Sequence, residues 1–148
     1  MIINLTKEII PERFSVFTLV DGSFDPLHHG HIKYFEEAFN IGFPVSCLLA
    51  PDSYTSKKHR ILLPAEDRAI VLSSLRQIEN VIIGSTSTEA SILQIKPKIF
   101  FKGGDWCGKL PAPIVTACQQ VGAEIRFGSN PIASSSNLVR KMTNEPQE

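Results

Sequence analysis

Short apolar runs alternate along this chain with stretches in which apolar residues recur at helical spacing. A short apolar run bounded by turn residues is typical of a strand buried on both faces, and strands that alternate with helices are typical of a parallel sheet. The pattern therefore predicts a doubly wound α/β fold, with a five-stranded parallel sheet and helices on both of its faces. The predicted strands span residues 14–20, 44–50, 80–83, 98–101 and 123–127, and the predicted helices span residues 31–39, 64–75, 88–95, 113–121 and 135–142.

The length and composition suit one ordinary domain. The chain has 148 residues, of which 43% are hydrophobic, and this is enough for a core of useful size. We therefore expect a single domain over residues 1–148, in which residues 1–13 and 143–148 are peripheral tails.

The charge balance and the cysteines narrow the class of protein. Lys plus Arg and Asp plus Glu both number 15, so the chain lacks the overall basic field that nucleic-acid binding usually requires. Cys47, Cys107 and Cys118 lie far apart, which argues against a disulfide framework or a zinc site and suits a reducing compartment. With no signal-peptide pattern and no apolar run of bilayer length, we expect a cytoplasmic protein that binds neither nucleic acid nor membrane.

The segment at residues 22–31, Gly-Ser-Phe-Asp-Pro-Leu-His-His-Gly-His, joins the first predicted strand to the first predicted helix. At such a junction, free N–H groups and the positive end of the helix dipole point at whatever binds there. Gly30 lacks a Cβ and lets a ligand approach the backbone closely. His28 and His31 can donate hydrogen bonds to phosphate oxygens and, when protonated, add positive charge. The segment therefore predicts a phosphate site for a nucleotide.

This segment resembles the GxFDxxHxGH signature of the cytidylyltransferase-like nucleotidyltransferases, with His28 and His31 in the HxGH positions. The resemblance extends over residues 14–142. It implies a Rossmann-like domain that binds a nucleoside triphosphate and transfers the nucleoside monophosphate to a phosphorylated small-molecule acceptor, with release of pyrophosphate. It also implies a homodimer, and Mg²⁺ as a cofactor that the triphosphate mainly carries, so we expect no dedicated metal cluster in the protein.

Ligands of doubly wound sheets bind at the carboxyl ends of the strands, so the residues that follow each predicted strand are candidates for one site. Together, this rule and the family resemblance divide the candidate residues into three groups. The predicted catalytic residues are His28, His31 and Lys57, with Lys58 a near-equal match for Lys57 as the triphosphate contact. The predicted nucleotide-binding residues are Gly22, Ser23, Phe24, His28, Gly30, His31, Lys57, Lys102, Asp105, Ser134, Ser135 and Ser136. The predicted substrate-binding residues are Asp25, Lys58, Arg60, Arg68 and Trp106, although Arg68 suits a structural ion pair equally well.

Residues 101–109, Phe-Lys-Gly-Gly-Asp-Trp-Cys-Gly-Lys, divide the resemblance between two branches of the family. Residues 101–105 resemble the heptose 1-phosphate adenylyltransferases, whereas Asp105-Trp106 followed by Gly108-Lys109 resembles the glycerol-3-phosphate cytidylyltransferases. The second branch places an arginine shortly before an Ile-Ser-Thr-Thr motif, where this chain has Ser129 and then Ala-Ser-Ser-Ser at residues 133–136. That departure favours ATP over CTP as the nucleotide.

The favoured hypothesis is therefore transfer of AMP from ATP to a sugar or polyol phosphate. An anionic acceptor phosphate would attack the α-phosphorus in line, so positioning and charge stabilisation would do most of the catalysis without a general base. The alternatives are a glycerol-3-phosphate cytidylyltransferase that uses CTP, an archaeal-type FAD synthetase, and a nucleotide-binding module that has lost catalysis. A dehydrogenase is disfavoured because no GxGxxG follows the first predicted strand.

Overall fold

Six parallel strands form one sheet in the computed structural model, which describes residues 1–8, 15–129, 139 and 141–142. Within these residues the strands are β1 (Ile2–Asn4), β2 (Thr18–Gly22), β3 (Val45–Leu49), β4 (Asn80–Ile83), β5 (Ile99–Lys102) and β6 (Glu124–Phe127), in the order β1-β4-β3-β2-β5-β6. The helices are α1 (His29–Phe39), α2 (Asp52–Thr55), α3 (Ala65–Ser73), α4 (Thr88–Ile95) and α5 (Ala112–Val121), with a 3-10 turn at Gly104–Trp106.

Alternation along the strands divides the core between the two faces of the sheet. In β4, Val81 and Ile83 join the core under α1 and α3, whereas Ile82 between them joins the core under α4 and α5. Successive side chains of a strand point to opposite faces, so a strand that is apolar throughout is covered on both sides. The prediction of a doubly wound sheet with helices on both faces is confirmed.

The sheet has one strand more than the sequence predicts. The short strand β1 pairs in parallel with β4 at the edge of the sheet, with Ile2 opposite Val81 and Ile3 opposite Ile82. Ile3 is only 2% exposed and packs in the core under α4 and α5. Residues 2–4, expected in a peripheral tail, are therefore part of the sheet. The predicted helix at residues 135–142 lies mostly outside the described residues, as does the predicted tail at 143–148.

The strand order places a crevice beside the central strand. From β2 the chain passes through α1 to β3 on one side, whereas β5 lies on the other side of β2. Doubly wound sheets bind ligands where the direction of the connections changes, at the carboxyl ends of the strands. In this fold that point lies between the ends of β2 and β5.

The edge strand gives a direct test of the fold. Replacement Ile3→Ala should lower the free energy of unfolding by about 2–5 kcal/mol, because it opens a cavity in the core. The matched control Ile2→Ala, at a neighbouring residue that is 39% exposed, should cost much less. Urea denaturation followed by circular dichroism measures both, and equal small losses would contradict the placement of β1.

Candidate active site

A reciprocal pair of hydrogen bonds between His28 and His31 begins α1. His28 is the N-cap residue, and its Nδ1 accepts a hydrogen bond from the Gly30 N–H at 3.1 Å. The His31 Nδ1 in turn accepts from the His28 N–H at 3.2 Å, and the two rings stack with centroids 3.7 Å apart. An imidazole nitrogen that accepts a hydrogen bond carries no proton. In both rings Nε2 therefore carries the proton and is the donor.

His31 is held in its neutral form. Burial, and then the electrostatic effect of His28, lower the pKa of His31 from 6.5 to about 3. At neutral pH His31 therefore provides an N–H donor without a positive charge. This corrects the expectation that protonation of His31 adds charge at the site.

The loop that precedes the histidines is fixed by close packing. A Cβ on Gly22 would lie 2.8 Å from the Phe24 ring, so only glycine fits at that position. Phe24 has a positive φ of 51°, and its ring contacts His31 edge-on with centroids 4.8 Å apart. A positive φ is uncommon outside glycine, so the surrounding contacts must hold this conformation. Gly22 and Phe24 therefore set the position of the His31 ring.

Asp25 connects the loop after β2 to the segment before α3. Its side chain is fully buried, and its two carboxylate oxygens accept hydrogen bonds from the backbone N–H groups of Leu62 at 2.8 Å and Leu63 at 3.0 Å. Buried carboxylates are stable when such donors satisfy them. Asp25 was expected to contact the substrate, but both of its carboxylate oxygens are bound to the backbone, which indicates a structural role.

Arg68 connects the same loop to the end of β3. The guanidinium is 1% exposed, and its Nη1 donates to the carbonyl oxygens of Ser23 at 2.6 Å and Ala50 at 3.1 Å. Its Nε donates to the carbonyl of Leu63 at 2.9 Å, and its Nη2 pairs with Asp52 at 2.6 Å. Of the two interpretations that the sequence left open for Arg68, the structural ion pair fits this geometry, and the predicted substrate contact does not.

A cavity of about 600 Å³ opens at the carboxyl end of the sheet. Five of the residues predicted for the site line it: Gly22, Lys57, Lys58, Lys102 and Trp106. His28 and His31 are not among the lining residues; they lie beyond Gly22, on the turn that leads from β2 into α1. A triphosphate bound at that turn would therefore border the cavity.

The short helix α2 lies between β3 and the basic residues of the loop that follows. Lys57 and Lys58 follow the C-cap residue of this helix, Ser56, and the Lys58 Nζ lies 4.8 Å from the centre of the Tyr54 ring. Both lysines line the cavity, so the choice between them stays a prediction. Arg60 is exposed and does not line the cavity.

Asp21 is a cavity residue that the sequence analysis missed. Its carboxylate pairs with the Lys102 Nζ at 2.7 Å, and its backbone N–H donates to the Tyr34 hydroxyl at 3.3 Å. That hydroxyl donates to the carbonyl of Phe101 at 2.5 Å, and burial followed by the effect of Asp21 raises the pKa of Tyr34 well above its usual value. Its place at the end of an apolar strand, directly before Gly22, was the signal available in the sequence.

The remaining predicted residues lie apart from the cavity or outside the described residues. Asp105 is exposed on the 3-10 turn. A Cβ on the preceding Gly104 would lie 2.5 Å from the carbonyl oxygen of Gly128, so the two backbones touch there. Ser129, next along the chain, donates its N–H at 2.9 Å and its hydroxyl at 3.2 Å to the Glu37 carboxylate. Ser134, Ser135 and Ser136 lie outside the described residues.

Two features are absent from the described part of the chain. No three His, Cys, Asp or Glu side chains come together there in a group able to hold a metal ion. No helix in the same residues is long and apolar enough to cross a bilayer.

Sequence comparison identifies the family. The sequence model of the cytidylyltransferase-like family matches residues 19–142, a range that includes the histidine turn, the lysine loop and the cavity. The chain belongs to this family, and it is a nucleotidyltransferase.

Individual relatives agree with this assignment. Over 110 residues the chain is 39% identical to the bifunctional protein HldE of Aliarcobacter butzleri, and the alignment covers 72% of this chain and 21% of that protein. It is 29% identical over 130 residues to the FAD synthase of Methanospirillum hungatei, covering 82% of this chain and 81% of the synthase. The chain thus spans about a fifth of the length of the bifunctional relative. The crystal structure of the lipopolysaccharide core biosynthesis protein from Thermoplasma volcanium shares the fold, with a TM-score of 0.66 and 23% identity over 80% of this chain and 98% of that one.

The depressed pKa of His31 predicts a pH-dependent stability. The unfolded state binds a proton at His31 below pH 6.5, whereas the folded state does so only near pH 3. Stability is therefore full above pH 6.5 and falls as the pH drops from 6.5 towards about 3, by at most about 1.4 kcal/mol per pH unit.

The variant His31→Gln should lose this part of the pH dependence and keep the part that other groups cause. Urea denaturation of both proteins from pH 4 to pH 8 measures the difference. Parallel curves would show that His31 titrates normally in the folded protein.

Proposed function

We propose that this nucleotidyltransferase transfers AMP from ATP to a sugar or polyol phosphate and releases pyrophosphate. The observation that carries the proposal is the pair of Nε2–H donors of His28 and His31, fixed at the start of α1 beside a cavity of about 600 Å³. A helix N-terminus with oriented donors suits phosphate, and the cavity has room for a phosphorylated acceptor.

The reaction would proceed by in-line attack of an acceptor phosphate oxygen on the α-phosphorus of ATP, with pyrophosphate as the leaving group. The acceptor is anionic at neutral pH, so no general base is required. His28 and His31 donate hydrogen bonds to the α- and β-phosphates as charge gathers in the transition state, and Lys57 contacts the β- and γ-phosphates. The substrate is the Mg²⁺ complex of ATP, in which phosphate oxygens and water supply most of the ligands.

The network under the turn matters for this chemistry because oriented donors act without rearrangement during the reaction. Asp25, which is part of the loop, accepts hydrogen bonds from two backbone N–H groups, and Arg68 donates hydrogen bonds to backbone carbonyls of the loop and of the end of β3. We propose that both are positioning residues. Gly22, Ser23, Phe24 and Gly30 would contribute close backbone contacts to the nucleotide, and Asp105, Ser134, Ser135 and Ser136 stay predicted contacts to its ribose and phosphates.

Two observations favour ATP over CTP. Ser129 stands roughly where the glycerol-3-phosphate cytidylyltransferases, by resemblance, have an arginine, and its polar atoms are bound to Glu37. The product of the FAD synthase relatives, by its name, contains an adenylate group. Transfer of CMP from CTP to glycerol 3-phosphate is the second candidate, supported by the Asp105-Trp106 and Gly108-Lys109 pattern. The resemblance also leads us to propose a cytoplasmic homodimer.

Release of pyrophosphate across a matrix of nucleotides and acceptors tests the function. The matrix pairs ATP, CTP, GTP and UTP with heptose 1-phosphate, mannose 1-phosphate, glycerol 3-phosphate and flavin mononucleotide, each with Mg²⁺. We expect the highest turnover with ATP and a sugar 1-phosphate. Turnover only with CTP and glycerol 3-phosphate would establish the second candidate, and nucleotide binding without any pyrophosphate release would establish an inactive module.

The two histidines should be essential for turnover. The variants His28→Asn and His31→Gln should lower kcat by about 100- to 1000-fold, the usual loss when one oriented charge-stabilising donor is removed. Asn is a good N-cap residue, so His28→Asn removes the Nε2–H while keeping an acceptor for the cap.

The matched control is His29→Ala, which removes the exposed neighbouring ring and should leave kcat within about twofold, as surface substitutions usually do. Melting temperatures measured by circular dichroism separate loss of fold from loss of chemistry. Normal kcat in both well-folded histidine variants would refute their role.

A further inference from the structure

Asp21 and Lys102 face each other across the crevice of the sheet. The pairing of β2 with β5 covers two positions, Thr18 with Ile99 and Leu19 with Phe100. Extending this register by two residues places Asp21 opposite Lys102, at the carboxyl ends of the two strands. Their side chains join there, with the Lys102 Nζ 2.7 Å from a carboxylate oxygen of Asp21.

This ion pair is part of the cavity wall. The side chains of Lys102 and Asp21 are 12% and 14% exposed, and both line the cavity. Trp106 lies beside them, with its ring centre 4.5 Å from the Lys102 Nζ, and its 38% exposed side chain also lines the cavity. A carboxylate, an ammonium group and an aromatic ring therefore form one patch, which we call the Asp21 patch.

The charges of the Asp21 patch disfavour a phosphate there. Lys102 would attract a phosphate group, but the carboxylate of Asp21 beside it would repel the same group. The two charges cancel, and what the pair offers is an acceptor of hydrogen bonds next to a donor. Hydroxyl groups match this arrangement because each one both donates and accepts.

We propose that Asp21, Lys102 and Trp106 recognise the hydroxyl-bearing end of the acceptor in the proposed reaction. One hydroxyl donates to the Asp21 carboxylate, a neighbouring hydroxyl accepts from the Lys102 ammonium, and the apolar face of the sugar or polyol packs on Trp106. This inference rests on the proposed function. It assigns Lys102 to the acceptor, where the sequence analysis had assigned it to the nucleotide.

The lysines after α2 complete the orientation of the acceptor. Lys57 and Lys58 line the same cavity, and within the described residues neither lysine forms an ion pair with a carboxylate. Anionic phosphate favours uncompensated positive charge, whereas hydroxyls favour the neutral pair. The acceptor phosphate therefore lies towards Lys58 and the histidine turn, which leaves Lys57 to the β- and γ-phosphates of ATP, and the acceptor hydroxyls lie towards Trp106.

Kinetics of the variants Asp21→Asn and Lys102→Met test the proposal with mannose 1-phosphate and heptose 1-phosphate as acceptors. KM for the acceptor should rise about 10- to 100-fold, the range expected for hydrogen bonds to charged groups, whereas KM for ATP should stay within about twofold. A rise in KM for ATP alone would overturn the proposal and return Lys102 to the nucleotide.

Matched controls come from the same elements of the fold. Lys98→Met alters an exposed lysine directly before the strand that Lys102 ends, and its Nζ also lies against an aromatic ring, 5.2 Å from the centre of the Phe43 ring. Asp67→Asn alters an exposed carboxylate in the first turn of α3. Both controls should keep all kinetic constants. The double variant Asp21→Asn/Lys102→Met leaves no unpaired buried charge and should show the same rise in KM for the acceptor if a single variant folds poorly.

Direct binding separates this proposal from the proposed function. Isothermal titration with mannose 1-phosphate and with ethyl phosphate, which has no alcohol hydroxyl, requires no turnover. The wild type should bind mannose 1-phosphate at least tenfold more tightly than ethyl phosphate, and Asp21→Asn should abolish that preference. Absence of the preference in the wild type, or its survival in Asp21→Asn, would overturn the proposal. Loss of turnover in the wild type with the binding preference intact would refute only the proposed function.

Discussion

The reciprocal cap between His28 and His31 is the interaction on which the site depends. It satisfies two backbone N–H groups at the start of α1, and it also fixes the proton of each ring on Nε2. The same bonds that begin the helix therefore determine which atoms can donate to a ligand. Burial then keeps His31 neutral, with its pKa near 3, so His31 offers an oriented N–H dipole and no positive charge.

Such a cap functions only if the turn keeps its shape, and charged residues provide that rigidity. The carboxylate of Asp25 and the guanidinium of Arg68 are both buried and bound to backbone groups of the loops around the turn. Removing either one would leave buried groups without partners, which is far more costly than losing an exposed ion pair. Asp52 completes the network and connects it to α2, the helix that precedes Lys57 and Lys58.

Much of this organisation could be predicted from the sequence, because it is local. Four of the five longer strands contain apolar runs, β6 alternates charged and apolar residues, and the histidine turn is contiguous in the chain. What the sequence did not predict depends on partners far along the chain. The three-residue strand β1 is too short for a periodicity and is defined by pairing with β4. The roles of Asp25 and Arg68 depend on burial, and a charged residue that is buried in the fold looks the same in a sequence as one that contacts a ligand.

Asp21 is a residue of the cavity that could not be predicted from the sequence for the same reason. It stands one residue before the segment that predicts the phosphate site, and its significance comes only from Lys102, 81 residues away on the neighbouring strand. The two strands separate after two paired positions, and this separation makes room for side chains to enter the crevice. Because the pair is neutral and the loop lysines are not compensated in the same way, the cavity is electrostatically asymmetric. An acceptor with phosphate at one end and hydroxyls at the other fits this asymmetry in a single orientation, and that orientation directs its phosphate towards the histidine turn.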